Sequence, residues 1–447
     1  MSATTPDPRS LARELLAKTG AASSAAAARP APAAVARPAY RPGVRPRLED
    51  LPQVRQSLER DAMMAAALAP SGSPNPYYRS HNGFNGATIH LDGQELINYS
   101  AYNYLGLAGH PRMIAAAKAA IDEYGTTSGA TRIVSGNIPL HEQLEAKIAS
   151  CYRVEDATTV GSGFLTNASV IAFVLGEKDL ALCDALVHNS IVSGTQWAHC
   201  QRMQFRHNDP DALEGVLSRT RGHFERVLVI LEGVYSMDGD IGRLPELIEV
   251  ARRYDCLVMV DEAHSFAILG ETGMGVSEHF GMAPDDVDIW MGTLSKALAS
   301  HGGFIAGSHD FIQACRMSAP GMSLYAAGPT PATAAAALTA IEVVLDEPQR
   351  LARLKANGEL FLELAKKAGM DTGPAEGTPI VPVMLGSSRS AMTASVMLAH
   401  HGINANPILY PAVPEGEARI RFFLSSEHTH EQIERTIDTL AELAPGL

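Results

Sequence analysis

Cysteine is scarce in this 447-residue chain: five are present (Cys151, Cys183, Cys200, Cys256 and Cys315), an odd number with no CxxC spacing. That pattern argues against a disulfide framework and against a zinc site, and it suits free thiols in a reducing compartment. Long apolar runs are missing as well, none approaching the ~20 residues that cross a bilayer. There is no excess of positive charge, the formal net charge being −13 at pH 7. A broad surface for nucleic-acid phosphates is therefore disfavoured, while a local basic pocket for a small anion is not. What is present, 46% hydrophobic and 19% charged residues, is the composition of a globular enzyme. The length exceeds the ~250–300 residues at which a single core stops growing, so more than one lobe is expected.

Residues 21–47 are almost entirely Ala, Pro and Arg, with five arginines and no acid between Glu14 and Glu49. Such a stretch cannot bury enough apolar surface to order itself, so 1–47 reads as a flexible tail and linker or docking arm. An organelle transit peptide is the alternative, weakened by Asp7, Glu14 and the prolines. Within the tail, Leu11, Leu15 and Leu16 share one helical face, enough for a short docking helix. An N-terminal helix and arm is expected over 48–95. From about Pro76, short apolar strands alternate with alanine-rich helices, the pattern of a layered α/β domain with a mostly parallel sheet. Strands are predicted at Thr158–Val160, Leu180–Cys183, Val227–Leu231, Leu257–Val260, Ile289–Met291 and Phe304–Ala306. The large domain is placed at 96–330 and a smaller C-terminal α/β domain at 331–447.

Two of those strands end on chemistry. Gly292-Thr-Leu-Ser-Lys296 sets one lysine among small and hydroxylated residues just after the apolar run Val287, Ile289, Trp290, Met291. Burial there would lower the pKa of Lys296 and favour covalent chemistry with an aldehyde; a plain tight turn is the alternative. Leu257-Val-Met-Val-Asp-Glu-Ala-His264 delivers Asp261 to a strand end, where α/β sheets keep their chemistry. An acid so placed can hold a proton on a pyridine nitrogen, the partner a pyridoxal ring needs; a helix cap is the bland reading. Gly161-Ser-Gly-Phe164 follows a strand and opens a helix, a seat for phosphate or only a chain reversal. His188 could lie over a flat ring or be a satisfied core histidine. Ser236, after a buried strand, can donate to an oxyanion. In the alternating Arg419-Ile-Arg-Phe-Phe-Leu424, Arg421 is a candidate clamp for a carboxylate, with a structural ion pair as the alternative.

Taken together, Asn103-Tyr-Leu-Gly106, Gly136 with His141 and Leu144-Glu145, Ser162-Gly-Phe164, His188, Arg206-His-Asn-Asp209, Ser236-Met-Asp-Gly-Asp240, Val260-Asp-Glu-Ala-His264 and Gly292-Thr-Leu-Ser-Lys296 resemble the α-oxoamine synthases. These are fold-type I pyridoxal phosphate enzymes, and the resemblance runs from about Pro76 to the end. It implies a decarboxylative condensation of a small amino acid with an acyl thioester in a cytoplasmic homodimer. It also implies roles: Lys296 carries pyridoxal 5′-phosphate, Asp261 meets its ring nitrogen and His188 stacks on the ring. His264 and Ser236 meet the phenolic oxygen; Gly163, Phe164 and Thr293 hold the phosphate; Asn103 and Arg421 bind the substrate carboxylate. No metal is implied.

The chain departs from the family pattern twice. Leu324-Tyr-Ala-Ala-Gly-Pro-Thr-Pro331 lacks the hydroxyl pair that reaches the partner subunit's phosphate, and Tyr410-Pro-Ala-Val-Pro414 lacks a substrate-side hydroxyl. Both variants look more like synthases of carrier-protein pathways, which makes a carrier-bound acyl group as natural a donor as acyl-CoA. Glycine, alanine and serine stay open as the amino acid. An aminotransferase or lyase on the same fold would use the same lysine and aspartate. A non-catalytic carrier-binding subunit would have no reason to keep Lys296, Asp261 and His188 together.

Overall fold

The structure is a computed structural model that describes residues 45, 47–69 and 72–446. The tail expected over 1–47, Arg45 and Arg47 apart, and its docking helix lie outside the described residues. The described chain before Leu68 comprises a single-turn helix, Leu48–Asp50, and the helix Pro52–Leu68.

The central feature is a seven-stranded sheet in the order Asp156–Val160, Gly303–Gly307, Ile289–Thr293, Leu257–Asp261, Val227–Glu232, Leu180–Asp184, Gln201–Phe205. The last five of these run parallel, and Gly303–Gly307 runs antiparallel to both its neighbours. Each inner strand is apolar up to its carboxyl end because both faces are covered. Val227, Val229 and Leu231 point into one core and Leu228 and Ile230 into another; Leu180 and Leu182 divide from Ala181 and Cys183 in the same way. The alternation has a consequence for the strand ends. Glu232 and Asp261, paired in register, emerge on the face that buries Leu228, Ile230 and Met259. That face is covered by the helix Gly163–Val174 through Val170 and Ile171.

Helix signals are equally local. The helix Pro210–Thr220 starts with Asp209 accepting from the Ala212 N–H and with proline in its first turn. The helix Leu244–Arg253 buries Leu244, Leu247, Ile248 and Ala251 and ends on Arg252 and Arg253, which suit the negative end of its dipole. The edge strand Gln201–Phe205 has no counterpart in the sequence reading, because four of its five residues (QRMQ) are polar or only half-buried and leave no apolar run.

Two smaller sheets follow different rules. Ile380–Gly386, Ala418–Phe423 and Pro407–Ile408 form an antiparallel trio. His81–Asn82, Thr88–Leu91 and Gln94–Asn98 make a meander that ends on a parallel pairing with Ile403–Asn404. A boundary at 330/331 does not match the packing. The helix Pro331–Asp346 puts Ala334, Ala337, Ala340 and Val344 into the core of the large sheet, whereas the smaller core takes Ile97 and Tyr99 before resuming at Phe361. The smooth alanine face of Pro331–Asp346 lets it lie close on Pro111–Tyr124, and this contact holds it to the large sheet. Tyr99 is fully buried between Phe361, Phe422 and His428, whose ring stacks on it at 4.4 Å.

Candidate active site

Four neighbouring strands of the large sheet terminate on polar residues at their carboxyl ends: Asp184, Glu232, Asp261 and Thr293. Three residues beyond the last of these stands Lys296, whose Nζ lies 2.7 Å from His264 Nε2. Burial pulls the Lys296 amine down to about 8, against the raising effect of Asp261 and Glu232 and with Arg421 adding to the fall. Burial likewise holds His264 well below its usual value, so its imidazole is neutral. The Tyr104 hydroxyl sits 2.8 Å from the other ring nitrogen, His264 Nδ1.

Asp261 is buried, and its carboxylate is fixed by two donors: the Ala263 N–H at 2.9 Å and the Asn167 amide at 2.7 Å. The same Asn167 nitrogen donates to Ser190 Oγ at 2.8 Å, and Ser190 Oγ lies 2.7 Å from His188 Nδ1. One side-chain amide thus ties Asp261 to His188. Since the backbone N–H of Ser190 also points at His188 Nδ1, that nitrogen accepts and the ring proton lies on Nε2. The His188 backbone is held from the opposite side, its N–H donating to Glu232 Oε1 at 2.5 Å. Burial first, then the neighbouring Asp261, push the Glu232 carboxyl far above the ordinary range. His188 is not the satisfied core histidine that its sequence allowed, since the residue is exposed.

A cradle for a phosphate is built beside these groups. The helix Gly163–Val174 begins with Ser162, which makes no side-chain capping bond, and so its first N–H groups face outward uncapped. A Cβ on Gly163 would come within 2.8 Å of Thr293 Oγ1, so only glycine leaves this space open. Phe164 is exposed beside the cradle, its ring edge toward His188. Thr293 Oγ1 itself donates to the Gly302 carbonyl at 3.0 Å and meets Ser295 Oγ at 2.8 Å.

The two arginines of the last strand divide the roles that the sequence left open. Arg419 takes the buried ion pair, with Asp238. Among the described residues Arg421 has no acidic partner. Its Nη1 donates to the Ser236 carbonyl at 2.5 Å, its guanidinium lies 4.4 Å from the Phe423 ring, and its buried Nε has no partner among those residues. Ser236 therefore reaches Arg421 through its backbone. Asn103 is held by two backbone groups, its Oδ1 accepting from the Ala108 N–H and its Nδ2 donating to the Asn85 carbonyl, which leaves one amide hydrogen for a ligand.

Residues that the sequence reading passed over complete the site. Tyr104 stood inside the Asn103–Gly106 motif without a role, and Ser190 lies two positions after His188. Asn167 is the one amide in the apolar helix Gly163–Val174, a signal that could have been taken. Farther out, His207 bridges Asp184 at 2.8 Å and Asp240 at 2.9 Å. Burial would depress this imidazole, but its bonds to the two carboxylates carry it up to about 10. Because the folded value lies above the ordinary one near 6.5, the stabilisation is complete below ~6.5 and fades as pH climbs through about 10. The thermal midpoint of wild type should exceed that of His207→Gln by a few °C at about pH 6, the gap closing by about pH 10; a gap independent of pH would contradict the pairing.

Those features fit pyridoxal phosphate: a desolvated amine, a buried carboxylate for the ring nitrogen, an uncapped helix start that glycine keeps open, and an arginine Nε with no partner. The comparisons agree. Residues 94–440 match the aminotransferase class I and II family. The 8-amino-7-oxononanoate synthase of Symbiobacterium thermophilum is 40% identical over 357 residues, covering 80% of this chain and 90% of that protein. The 8-amino-7-oxononanoate synthase 1 of Bacillus velezensis is 37% identical over 362 residues, covering 81% and 92%. Serine palmitoyltransferase from S. paucimobilis, solved with bound pyridoxal phosphate and myriocin, superposes with a TM-score of 0.82 at 28% identity, over 88% of this chain and 98% of that one. The serine palmitoyltransferase of Sphingomonas wittichii gives 0.82 at 29% identity, over 88% and 97%. With the site and these likenesses in agreement, the chain belongs to the aminotransferase class I and II family and, within it, to the α-oxoamine synthases, pyridoxal 5′-phosphate enzymes that join an amino acid to an acyl thioester with loss of carbon dioxide.

Proposed function

We propose that Lys296 carries the cofactor and moves the substrate's α-proton, and that the chain condenses glycine, alanine or serine with an acyl thioester borne on a carrier protein. The observation that carries this reading is the desolvated Lys296 amine against His264, on the sheet edge where Asp261 ends its strand. Pyridoxal phosphate, when bound, supplies an electron sink for negative charge on the amino acid's α-carbon. Asp261 would hold a proton on the ring nitrogen, and His188, its tautomer set by Ser190, would pack against the ring. The N–H groups of Gly163 and Phe164 and the Thr293 hydroxyl, turned from the Gly302 carbonyl, would take the phosphate, while Ser236 and the His264 Nε2–H, released once Lys296 is joined to the cofactor, would donate to the phenolic oxygen. The remaining amide hydrogen of Asn103 and the unpartnered Nε of Arg421 hold the amino acid's carboxylate. Lys296 Nζ, uncharged above about 8, removes the α-proton as general base.

In the reaction a bond forms from the α-carbon to the thioester carbonyl, the C–S bond breaks and the thiol leaves with a proton. The amino acid's carboxylate then departs as carbon dioxide and a proton takes its place, giving an α-aminoketone. The two departures at Leu324–Pro331 and Tyr410–Pro414 make a carrier-bound donor at least as natural as acyl-CoA. A homodimer in the cytoplasm completes the reading, and the exposed Val134, Met317 and Tyr325 supply apolar surface for a second copy. The test is to offer each amino acid with acyl-carrier or acyl-CoA thioester and to quantify thiol and carbon dioxide. Equal yields of both, at least as fast with the carrier donor, are expected. Amino transfer to a keto acid without carbon dioxide would overturn the reading in favour of an aminotransferase.

A further inference from the structure

Tyr104 is fully buried, and its hydroxyl lies 2.8 Å from His264 Nδ1 while His264 Nε2 lies 2.7 Å from Lys296 Nζ. Three groups in a row, with protons not yet assigned, allow two arrangements. In the first, the phenol donates to Nδ1, the imidazole's one proton sits on Nε2, and Nε2–H donates to a lone pair on Lys296. In the second, Nδ1–H donates to the phenolic oxygen and Nε2 accepts from a lysine ammonium. The second leaves the phenol proton buried without an acceptor, since among the described residues the Tyr104 hydroxyl meets only His264. A buried donor left unmet forfeits the hydrogen bond it had to water and gains none in exchange. Burial keeps the phenol protonated and the imidazole neutral, so neither partner can escape by changing charge.

Only the first arrangement remains, and it has a chemical meaning. An ammonium has three donors and no lone pair, so it cannot face Nε2–H; the amine can. We propose that Tyr104 is a positioning residue which, by fixing His264 as the Nε2–H tautomer, holds Lys296 in the uncharged form that attacks the cofactor's aldehyde. The other ionisable groups around the lysine pull in both directions: Asp261 and Glu232 favour the ammonium, whereas Arg421 opposes it. Partial desolvation of its ring, with the charges of Lys296 and Arg421, lowers His188 below the usual imidazole value against the pull of Asp261. The tautomer set by Tyr104 adds to burial and Arg421 in favour of the amine. This inference rests on Lys296 being the cofactor lysine.

The test uses the full-length protein freed of cofactor, to which pyridoxal 5′-phosphate is added between about pH 6 and pH 10 while the rise of its protein-bound visible band is timed. In the wild type the capture rate should climb with a midpoint near 8. In Tyr104→Phe the midpoint should move up by about one pH unit, which slows capture ~10-fold at pH 7. In a His264→Ala background, adding Tyr104→Phe should shift nothing further. A nitrogen NMR spectrum of the His264 ring in the unmutated protein should show the proton on Nε2. A proton on Nδ1 there, an unmoved midpoint in Tyr104→Phe, or a further shift in the double variant would each overturn the inference. The tautomer measurement decides the matter even where a variant fails to fold. Failure of the parent reading looks different: the wild type would gain no colour, and borohydride would leave no reduced adduct on the Lys296 peptide.

Discussion

Lys296→Ala loses at least ~10³-fold in turnover while the protein folds as before. The loss is large because this one amine has two tasks, capture of the cofactor aldehyde and removal of the α-proton, and the site offers no substitute. His264 and His188 are neutral and close, but each ring is committed: Tyr104 and Lys296 use both nitrogens of His264, and Ser190 occupies Nδ1 of His188. The fold is spared because the lysine makes no ion pair among the described residues, and a desolvated amine whose pKa falls to about 8 is a group that folding pays for rather than one that supports it. The thermal midpoint of the variant should therefore equal or exceed that of wild type. Borohydride reduction followed by peptide mapping should label the wild-type peptide bearing position 296 and no peptide of the variant. Full activity in the variant, or a label that persists elsewhere, would remove the basis of the whole site.

Much of this arrangement was legible because parallel sheets concentrate their information. Strands covered on both faces read as unbroken apolar runs, and the first polar residue after each run marks the carboxyl edge. Asp261 and Lys296 were read in this way and the Gly161–Phe164 turn by the helix it opens, whereas Thr293 entered only through the family resemblance. The edge strand Gln201–Phe205 was not found, because solvent on one side removes the need for apolar residues. The boundary at 331 failed for a related reason: an alanine-rich helix suits either core, and only its packing against Pro111–Tyr124 assigns it.

Partners far apart in the chain were the other gap. Tyr104 and His264 are separated by 160 positions and Asn167 and Asp261 by 94; no local pattern encodes such a bond. Pattern did place Arg419 and Arg421 on the same side of a strand, yet which would be satisfied depended on Asp238 standing beside the first, while the second meets a backbone carbonyl and uncharged side chains.

Asp261→Asn tests the electrostatic half of the site and separates it from the Tyr104 half. The substitution keeps shape and replaces an acceptor-only carboxylate with an amide. In the wild type Oδ1 and Oδ2 each accept one hydrogen bond, from Ala263 N–H and from Asn167. An asparagine can satisfy one of these donors with its oxygen, but its NH2 group must then face the other. The expected response is a turned side chain or a displaced Asn167, and through Ser190 some loosening of His188. More directly, a neutral amide cannot hold a proton on a pyridine nitrogen, so the stabilisation of negative charge at the α-carbon is lost. A fall in kcat of about 10²–10³ is expected, the scale of losing one preorganised electrostatic partner. The KM for the amino acid should change little, because Asn103 and Arg421 are untouched. Exchange of the α-proton with deuterated water should fall in parallel with kcat; exchange at the wild-type rate would sink the assignment. The same variant also moves Lys296 in a direction that can be signed. Asp261 is the strongest charge favouring the lysine ammonium, so its neutralisation should carry the midpoint of cofactor capture below 8, opposite to the upward shift expected of Tyr104→Phe. Opposed shifts from two substitutions around one amine would show that charge and tautomer act on it separately, which a general disturbance of the pocket could not produce.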